Sequence, residues 1–376
     1  MRKILFLTGT RADFGKLKPL INRVKSSPGF EYHLFVTGMH LLSKYGYTAS
    51  EISKSGFDNV FHYMNQVDGE DMEVILANTI AGLSRFLHEN HFDLIVVHGD
   101  RVEALAGATV GALRNIPVAH VEGGEISGTV DELMRHAISK LSHLHFVASD
   151  VARKRLLQLG ESEDSIFVIG SPDIDVMLSP DLPALDAARD RYGIPFDNYA
   201  LAMLHPVTTE LDRQKENAEV FVKALIDSQY NFILIYPNND NGSDRIIAAY
   251  DLLYGNPRFK IFPSIRFEYF LTFLKHADFI IGNSSAGVHE APVYGVPTIN
   301  IGSRQNNRFK GSSIFDVDFL ADDILAVVKS VRAQRYEAVA HYGMGDSADK
   351  FINILRSDIW NRGTQKYFLE REILNV

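Results

Sequence analysis

The stretch LIVVHGDRVEALAGATVGALRNIPVAHV, Leu94–Val121, opens on an apolar run of strand length and closes on another. Between them, Val102–Asn115 carries Val, Ala and Leu at helical spacing. Strand, helix and strand in so short a span is the repeating unit of a parallel sheet wrapped by helices. The same alternation runs outward on both sides. Lys3–Thr8, Tyr32–Thr37, Leu144–Ala148 and Ile166–Ile169 read as further strands, and Asp71–Asn90 as a helix. Around Met177–Asn198 the pattern breaks into Pro, Asp and Gly, the signature of a boundary. It restarts with strands at Tyr199–Leu204, Phe232–Tyr236, Lys260–Phe262, Phe279–Ile281 and Thr298–Ile301, and helices at Arg266–Ala277 and Ser285–Gly295. The expected fold is therefore α/β, with two doubly wound Rossmann-like domains, 1–180 and 181–376, the terminal helix packing back on the first. In such folds ligands sit beyond the carboxyl ends of the strands, which places the expected active site in the interdomain cleft.

Composition agrees with that division and narrows the function. A chain of 376 residues, 46% of them hydrophobic, fills two cores of about 150 to 200 residues each. A formal net charge of -9, with no long basic run, argues against a nucleic-acid binder, so an anionic ligand must be met by local groups. The absence of cysteine excludes a disulfide scaffold, a thiol nucleophile and thiolate metal sites, and fits a reducing cytoplasm. The apolar start ends at Leu7, far short of a signal-peptide core or a membrane span, so no membrane partner is expected.

The residues just past the strands carry the chemistry. GTRADFGK (Gly9–Lys16) resembles a phosphate loop but has one residue too many between its glycines, and Leu17 stands where a hydroxyl belongs. It still offers a helix start and two cations, Arg11 and Lys16, for an anion. Asp100 and Arg101 follow the strand Leu94–His98; the plain reading of Asp100 is a cap on the next helix. One strand later, VEGGEISGTVDELMRHAISKLSH (Val121–His143) holds Glu122, Glu125, Asp131 and Glu132, with Gly123 and Gly124 allowing a tight turn. Helical spacing buries Met134, Ala137, Ile138 and Leu141 and leaves His136, Ser139, Lys140 and His143 on the other face. Asp131, at the helix start, is favoured as an ionised base, whereas Glu122, leaving a buried strand, is desolvated towards acid work.

In the second half, His205 ends a strand and is held extended by Pro206; a catalytic role and a merely satisfied surface histidine are both open. YPNNDNGS brings Asn238 to the next strand end. IIGNSSAGVHEAPVYG places Ser284 and Ser285 at the opening of a helix that carries Glu290, a seat for a diphosphate and a ribose acceptor. Arg304 and Arg308 follow the next strand. HENH (His88–His91) lacks H-E-x-x-H spacing, HLH (His143–His145) has no third ligand nearby in sequence, and no G-x-G-x-x-G follows the first strand, so neither a catalytic metal nor a nicotinamide cofactor is expected.

Taken together and in order, GTRADFGKLKP, HGDRVEALAGA, HVEGGEISGTVDE, RHAISKLSH, HPVTTE, YPNNDNGS and GNSSAGVHEAP resemble the hydrolysing UDP-N-acetylglucosamine 2-epimerases of bacterial sialic-acid synthesis. The chain is similar also to the epimerase half of the animal bifunctional epimerase/kinase, and the likeness covers nearly its whole length. The resemblance implies a GT-B arrangement of the two domains and an anti elimination of UDP to 2-acetamidoglucal, followed by hydration to N-acetylmannosamine. It implies Asp100, Glu122 and Asp131 as acid/base carboxylates, with His205 assisting. Arg11, Arg101, Asn238, Ser284, Ser285, Glu290 and Arg304 would hold the UDP-sugar, and Lys16 would line the site. It further implies no cofactor and a homo-oligomer, dimer or tetramer. Non-hydrolysing relatives carry Glu at the place of Asp131, and the shorter residue here resembles the hydrolysing subgroup. The competing readings are a hydrolysing epimerase of UDP-N,N'-diacetylbacillosamine, a GT-B glycosyltransferase and a silent nucleotide-sugar sensor.

Overall fold

In a computed structural model that describes residues 1–127, 130–306 and 308–370, the apolar runs become two parallel sheets. The chain divides into two units, Met1–Glu125 with Asp131–Leu178 and His341–Val376, and Ile126–Val130 with Ser179–Ala340. The sequence pattern implies a division at 180/181, with 341–376 in the second domain apart from a helix packing back. Here the whole segment from His341 groups with the first unit, because Phe351, Ile352 and Leu355 of the helix Ser347–Leu355 are buried in its core.

The first sheet comprises β1 (Arg2–Thr8), β2 (Phe30–Val36), β3 (Val60–His62), β4 (Leu94–His98), β5 (Val118–Val121), β6 (Leu144–Val147) and β7 (Ile166–Val168). Their order is β3-β2-β1-β4-β5-β6-β7, every pair parallel. Successive side chains of a strand face opposite ways, so a strand covered on both faces must be apolar throughout. In β1, Ile4 and Phe6 join a core with Leu17, Leu20 and Ile21 of the helix Arg11–Lys25, whereas Leu5 and Leu7 join Leu83, Leu87, Ala104 and Ala108 on the other side. The strand order reverses between β1 and β4, and crevices at such a reversal are where doubly wound folds bind ligands.

The second sheet repeats the plan with β8 (Ala200–Met203), β9 (Phe232–Ile235), β10 (Phe259–Phe262), β11 (Ile280–Gly282), β12 (Thr298–Ile301) and β13 (Ile314–Val317), in the order β10-β9-β8-β11-β12-β13. Its reversal lies between β8 and β11. Among the described residues no helix is long and apolar enough to cross a membrane. The segment Ser285–Gly295, expected as one helix, forms two 3-10 turns, Ser285–Gly287 and Ala291–Tyr294. Pro292 has no N–H to give a helix, and the Thr298 hydroxyl takes the Gly287 carbonyl at 2.6 Å.

Candidate active site

In the first unit the chemistry gathers at the ends of β4 and β5. Glu122, the first residue past β5, is 6% exposed and has φ +64°, a left-handed backbone that costs a non-glycine residue about 1–3 kcal/mol. The conformation is held from both sides. Glu122 N–H donates to Phe146 O at 3.0 Å, and its carbonyl accepts from Arg135 Nη1 at 2.7 Å. Gly124 follows at φ +76°, where a Cβ would stand 2.4 Å from Ala152 O, so this glycine serves the close approach of backbone to backbone. The Glu122 carboxylate accepts from Ser171 Oγ at 2.8 Å and lies 3.4 Å from Lys16 Nζ, with His98 Nε2 3.3 Å from its second oxygen.

Arg135, from the helix Val130–Leu141, is the hub of the cluster. Its side chain is 5% exposed and pairs with Asp100. Burial alone would lower the guanidinium's pKa, but Asp100, Glu122, Glu125 and Asp131 outweigh burial and raise it, which keeps the cation charged. Three of the four carboxylates in Val121–His143 thus face one buried cation. The fourth, Glu132, lies 3.5 Å from His136 one turn on.

Asp100 is not a cap: the N-cap of the helix Val102–Leu113 is Arg101, with no side-chain cap bond, and the Asp100 carboxylate goes to Arg135 instead. Ser139, expected on the outer face, is fully buried because its Oγ meets His120 Nδ1 at 3.0 Å, while His120 Nε2 meets Gly99 O at 2.8 Å. Burial lowers the His120 pKa to about 3, so the ring is neutral and links this helix to the loop that bears Asp100.

The loop after β1 is a helix start with its own anion. Thr10 caps the helix Arg11–Lys25 in a capping box, and Asp13 accepts from Gly9 N at 2.9 Å and from Thr10 N at 3.2 Å. Those amides are therefore engaged by Asp13. Gly15 lies inside the helix and does not flank a loop. Arg11, at the first helical position, is half-buried, and Lys16 points to Glu122 and, at 3.4 Å, to Asp173. Arg101 Nε stands 3.5 Å from Glu103, whose fully buried carboxyl is raised by burial.

In the second unit the expected residues also meet at strand ends. His205, past β8, is bracketed by Asn283, past β11: His205 N donates to Asn283 Oδ1 at 2.6 Å, and Asn283 Nδ2 donates to His205 O at 2.9 Å. Gly282 makes this crossing possible, since at its φ of +130° a Cβ would meet Met203 O at 1.9 Å. Asn238 N donates to His205 Nδ1 at 3.0 Å, which makes Nδ1 the acceptor and leaves the proton of the neutral ring on Nε2. Asn238 Oδ1 is buried and has no hydrogen-bond partner among the described residues. Ser284 caps the 3-10 turn through Ala286 N at 3.3 Å, and Glu290 is 3% exposed. Arg304 Nη1 reaches Asn283 O at 3.3 Å, and Gln305 Nε2 reaches the same carbonyl at 2.8 Å. Asn238, His205, Ser284, Ser285 and Arg304 thus follow β9, β8, β11 and β12, neighbouring strands around the reversal.

Residues 22–356 match the family described as UDP-N-acetylglucosamine 2-epimerase. The chain belongs to that family. It is 48% identical over 375 residues to the UDP-N-acetylglucosamine 2-epimerase of Neisseria meningitidis serogroup B, covering 98% of this chain and 99% of that one. It is 33% identical to the UDP-N,N'-diacetylbacillosamine 2-epimerase (hydrolyzing) of Legionella pneumophila, covering 95% and 96% of the two chains. It is also 32% identical to the polysialic acid biosynthesis protein P7 of Escherichia coli, over 100% and 93%. Among solved structures, the Methanocaldococcus jannaschii UDP-GlcNAc 2-epimerase in complex with UDP-GlcNAc and UDP superimposes with a TM-score of 0.81 at 22% identity, over 95% of this chain and 99% of that one. That likeness speaks to the fold.

Within this epimerase-family chain, sequence reasoning missed Arg135, His98, Ser171 and Asp173. Arg135 stands in the run RHAISKLSH with no role of its own in the helical pattern; only the sheet brings it to Asp100 and Glu122. His98 sat in view as the last residue of an apolar strand. Ser171 and Asp173 precede and open the helix Pro172–Met177, between the strand read at Ile166–Ile169 and the boundary read at Met177–Asn198.

Proposed function

We propose that the protein is a hydrolysing UDP-N-acetylglucosamine 2-epimerase that converts its substrate to N-acetylmannosamine and UDP, the entry reaction of sialic-acid synthesis. The observation that carries this reading is the convergence of Asp100, Glu122 and Asp131 around one buried guanidinium at the strand ends of a chain of this family. Such a set supplies proton acceptors and donors, which is what elimination and hydration require. In the first step a carboxylate takes the C2 proton, the C2–H pair becomes the C1=C2 double bond, and the C1–O pair departs with UDP. In the second, water oxygen bonds to C1 and a proton is delivered to C2 on the opposite face. The groups of the second unit suit a nucleotide. Arg304, Ser284 and Ser285 fit a diphosphate, Glu290 fits ribose hydroxyls, and His205, with its proton on Nε2, fits donation to the departing phosphate. Arg11 and Arg101 add positive charge on the first unit, and Lys16 holds Glu122. We place the work in the cytoplasm and expect a homo-oligomer.

The test is turnover in D2O. Incubated with UDP-N-acetylglucosamine, the protein should release UDP and free N-acetylmannosamine carrying deuterium at C2. Unlabelled N-acetylglucosamine would mean that only the C1 bond breaks, as in a hydrolase or an acceptor-starved glycosyltransferase, and would refute the reading. Label retained in UDP-linked sugars with no free sugar would make the enzyme non-hydrolysing. The 33% identity to the Legionella enzyme motivates the second reading: turnover of the diacetylbacillosamine nucleotide alone would replace the substrate and keep the mechanism.

A further inference from the structure

Asp173 is a carboxylate that the reaction as described does not use. Its side chain is 1% exposed, and among the described residues neither oxygen has a hydrogen-bond partner. A buried charge in that state needs a counter-ion. It has one at 3.4 Å, Lys16 Nζ, which stands equally 3.4 Å from Glu122 Oε1. Asp173 follows Ser171 by two positions, and Ser171 Oγ donates to Glu122 Oε1, so one short segment delivers both groups to the same place. That segment is anchored from its far side, where Ser171 N donates to Tyr342 O at 2.6 Å.

We propose that Asp173 is a positioning residue of this site: by sharing Lys16 with Glu122, it leaves Glu122 able to take up and release a proton. This rests on the reading of Glu122 as an acid/base group. A lysine paired with Glu122 alone would hold it ionised, because protonating it would leave an uncompensated buried cation. With Asp173 present, the three groups carry one net negative charge when both carboxylates are ionised and none when Glu122 is protonated. The proton on Glu122 then completes the charge balance. Other groups facing Glu122 among the described residues include His98 at the end of β4, Ser171, and Arg135 at its carbonyl; Asp100, Glu125 and Asp131 gather round that guanidinium. None of these supplies the second negative charge at Lys16.

The direct test is a 13C NMR titration of the Glu122 side-chain carboxyl, in protein labelled at glutamate and assigned by its loss in Glu122→Gln. In Asp173→Asn the midpoint should fall by about one pH unit, since Lys16 then no longer shares its charge with Asp173. Asp173→Glu should restore it, Asp173→Ser should reproduce the fall, and Lys16→Met should move it upward. A midpoint unmoved in both Asp173→Asn and Asp173→Ser overturns the proposal, and this readout stands whether or not the protein turns over any sugar nucleotide. Failure of the deuterium experiment would instead sink the reaction. In the active enzyme, the limb of the kcat profile that Glu122→Gln abolishes should move to lower pH in Asp173→Asn. A uniform loss of kcat with that limb in place would mark Asp173 as merely structural and refute the inference.

Discussion

Replacing Arg135 by methionine keeps most of the side chain's volume and removes its charge, which isolates the electrostatic part of the site. Two contacts go: the bond to Glu122 O at 2.7 Å and the ion pair with Asp100. Breaking a buried pair costs about 3–5 kcal/mol, because the partner is left charged and desolvated. The Asp100 side chain keeps 21% of its exposure and can recover some hydration, so the loss should lie near the lower end, about 3 kcal/mol. For a unit of this size that is a fall of about 6–12 °C in the calorimetric transition of the first unit. Arg135→Lys keeps the charge but not the forked donors, and should cost about 1–2 kcal/mol. The deficit of Arg135→Met should narrow as pH falls. Carboxylates stripped of their cation have raised folded-state pKa values, so the folded form gains protons that the unfolded form does not. Adding Asp100→Asn to Arg135→Met should return part of the loss. A transition within about 2 °C of wild type, with no gain from the second substitution, would mean that Arg135 does not neutralise the cluster.

The carboxylates themselves should matter more to turnover than to binding: Asp100→Asn, Glu122→Gln and Asp131→Asn are each expected to lower kcat by about 10² or more while calorimetry still detects UDP. Near-normal turnover in all three would remove them from the chemistry. Ser284→Ala combined with Ser285→Ala, or Arg304→Ala, should weaken UDP by about 1–3 kcal/mol, and unchanged affinity in both would take the second unit out of nucleotide binding. Glu161, nearly fully buried, receives His145 Nε2, Lys140 Nζ and Lys366 Nζ. Burial would raise its pKa, but these partners outweigh burial and bring it down to about 2. Its contribution to stability is therefore complete above its ordinary value of 4.5 and is lost as pH falls towards 2. Glu161→Gln should flatten that acid limb, and an unchanged limb would show the cluster to be electrostatically idle. Lys366 Nζ also donates to the carbonyls of Lys140 at 3.0 Å and Ser142 at 2.6 Å, capping the helix that bears Arg135. Lys366→Met should lower the first unit's melting temperature and speed cleavage of the C-terminal segment by trypsin, and neither change would show that this contact is slack.

Most strands were legible because a strand buried on both faces is an unbroken apolar run, and its end marks where ligands sit. Val60–His62 and Ile314–Val317 escaped because they are sheet edges with exposed positions, and their pattern merges with that of loops. The helix expected over Ser285–Gly295 failed at Pro292 and at a carbonyl claimed by Thr298, the second of which depends on a strand that comes later in the chain. The candidate carboxylates were visible as acidic residues at strand ends. Their common partner was not: Arg135 lies 13 residues from Glu122 and 35 from Asp100 along the chain, and only parallel pairing of β4 with β5 and β5 with β6 closes those gaps. Asp100 looked like a cap because capping is local, whereas its actual partner is not.

The return of the chain to the first unit has a consequence for synthesis. Phe351 rests against Phe146, ring centroids 4.7 Å apart, and with Ile352, Leu355 and Ile359 fills a core whose other buried members all precede Leu178. While a ribosome makes the roughly 160 residues between Leu178 and His341, at about 5–20 residues per second, that core has an open apolar face for about 8–30 seconds. The second unit, nearly all of it continuous in sequence, has no such wait. The second unit is thus fully synthesised before the first, although the first begins the chain, and the nascent first unit must be kept from aggregation until its final helix emerges.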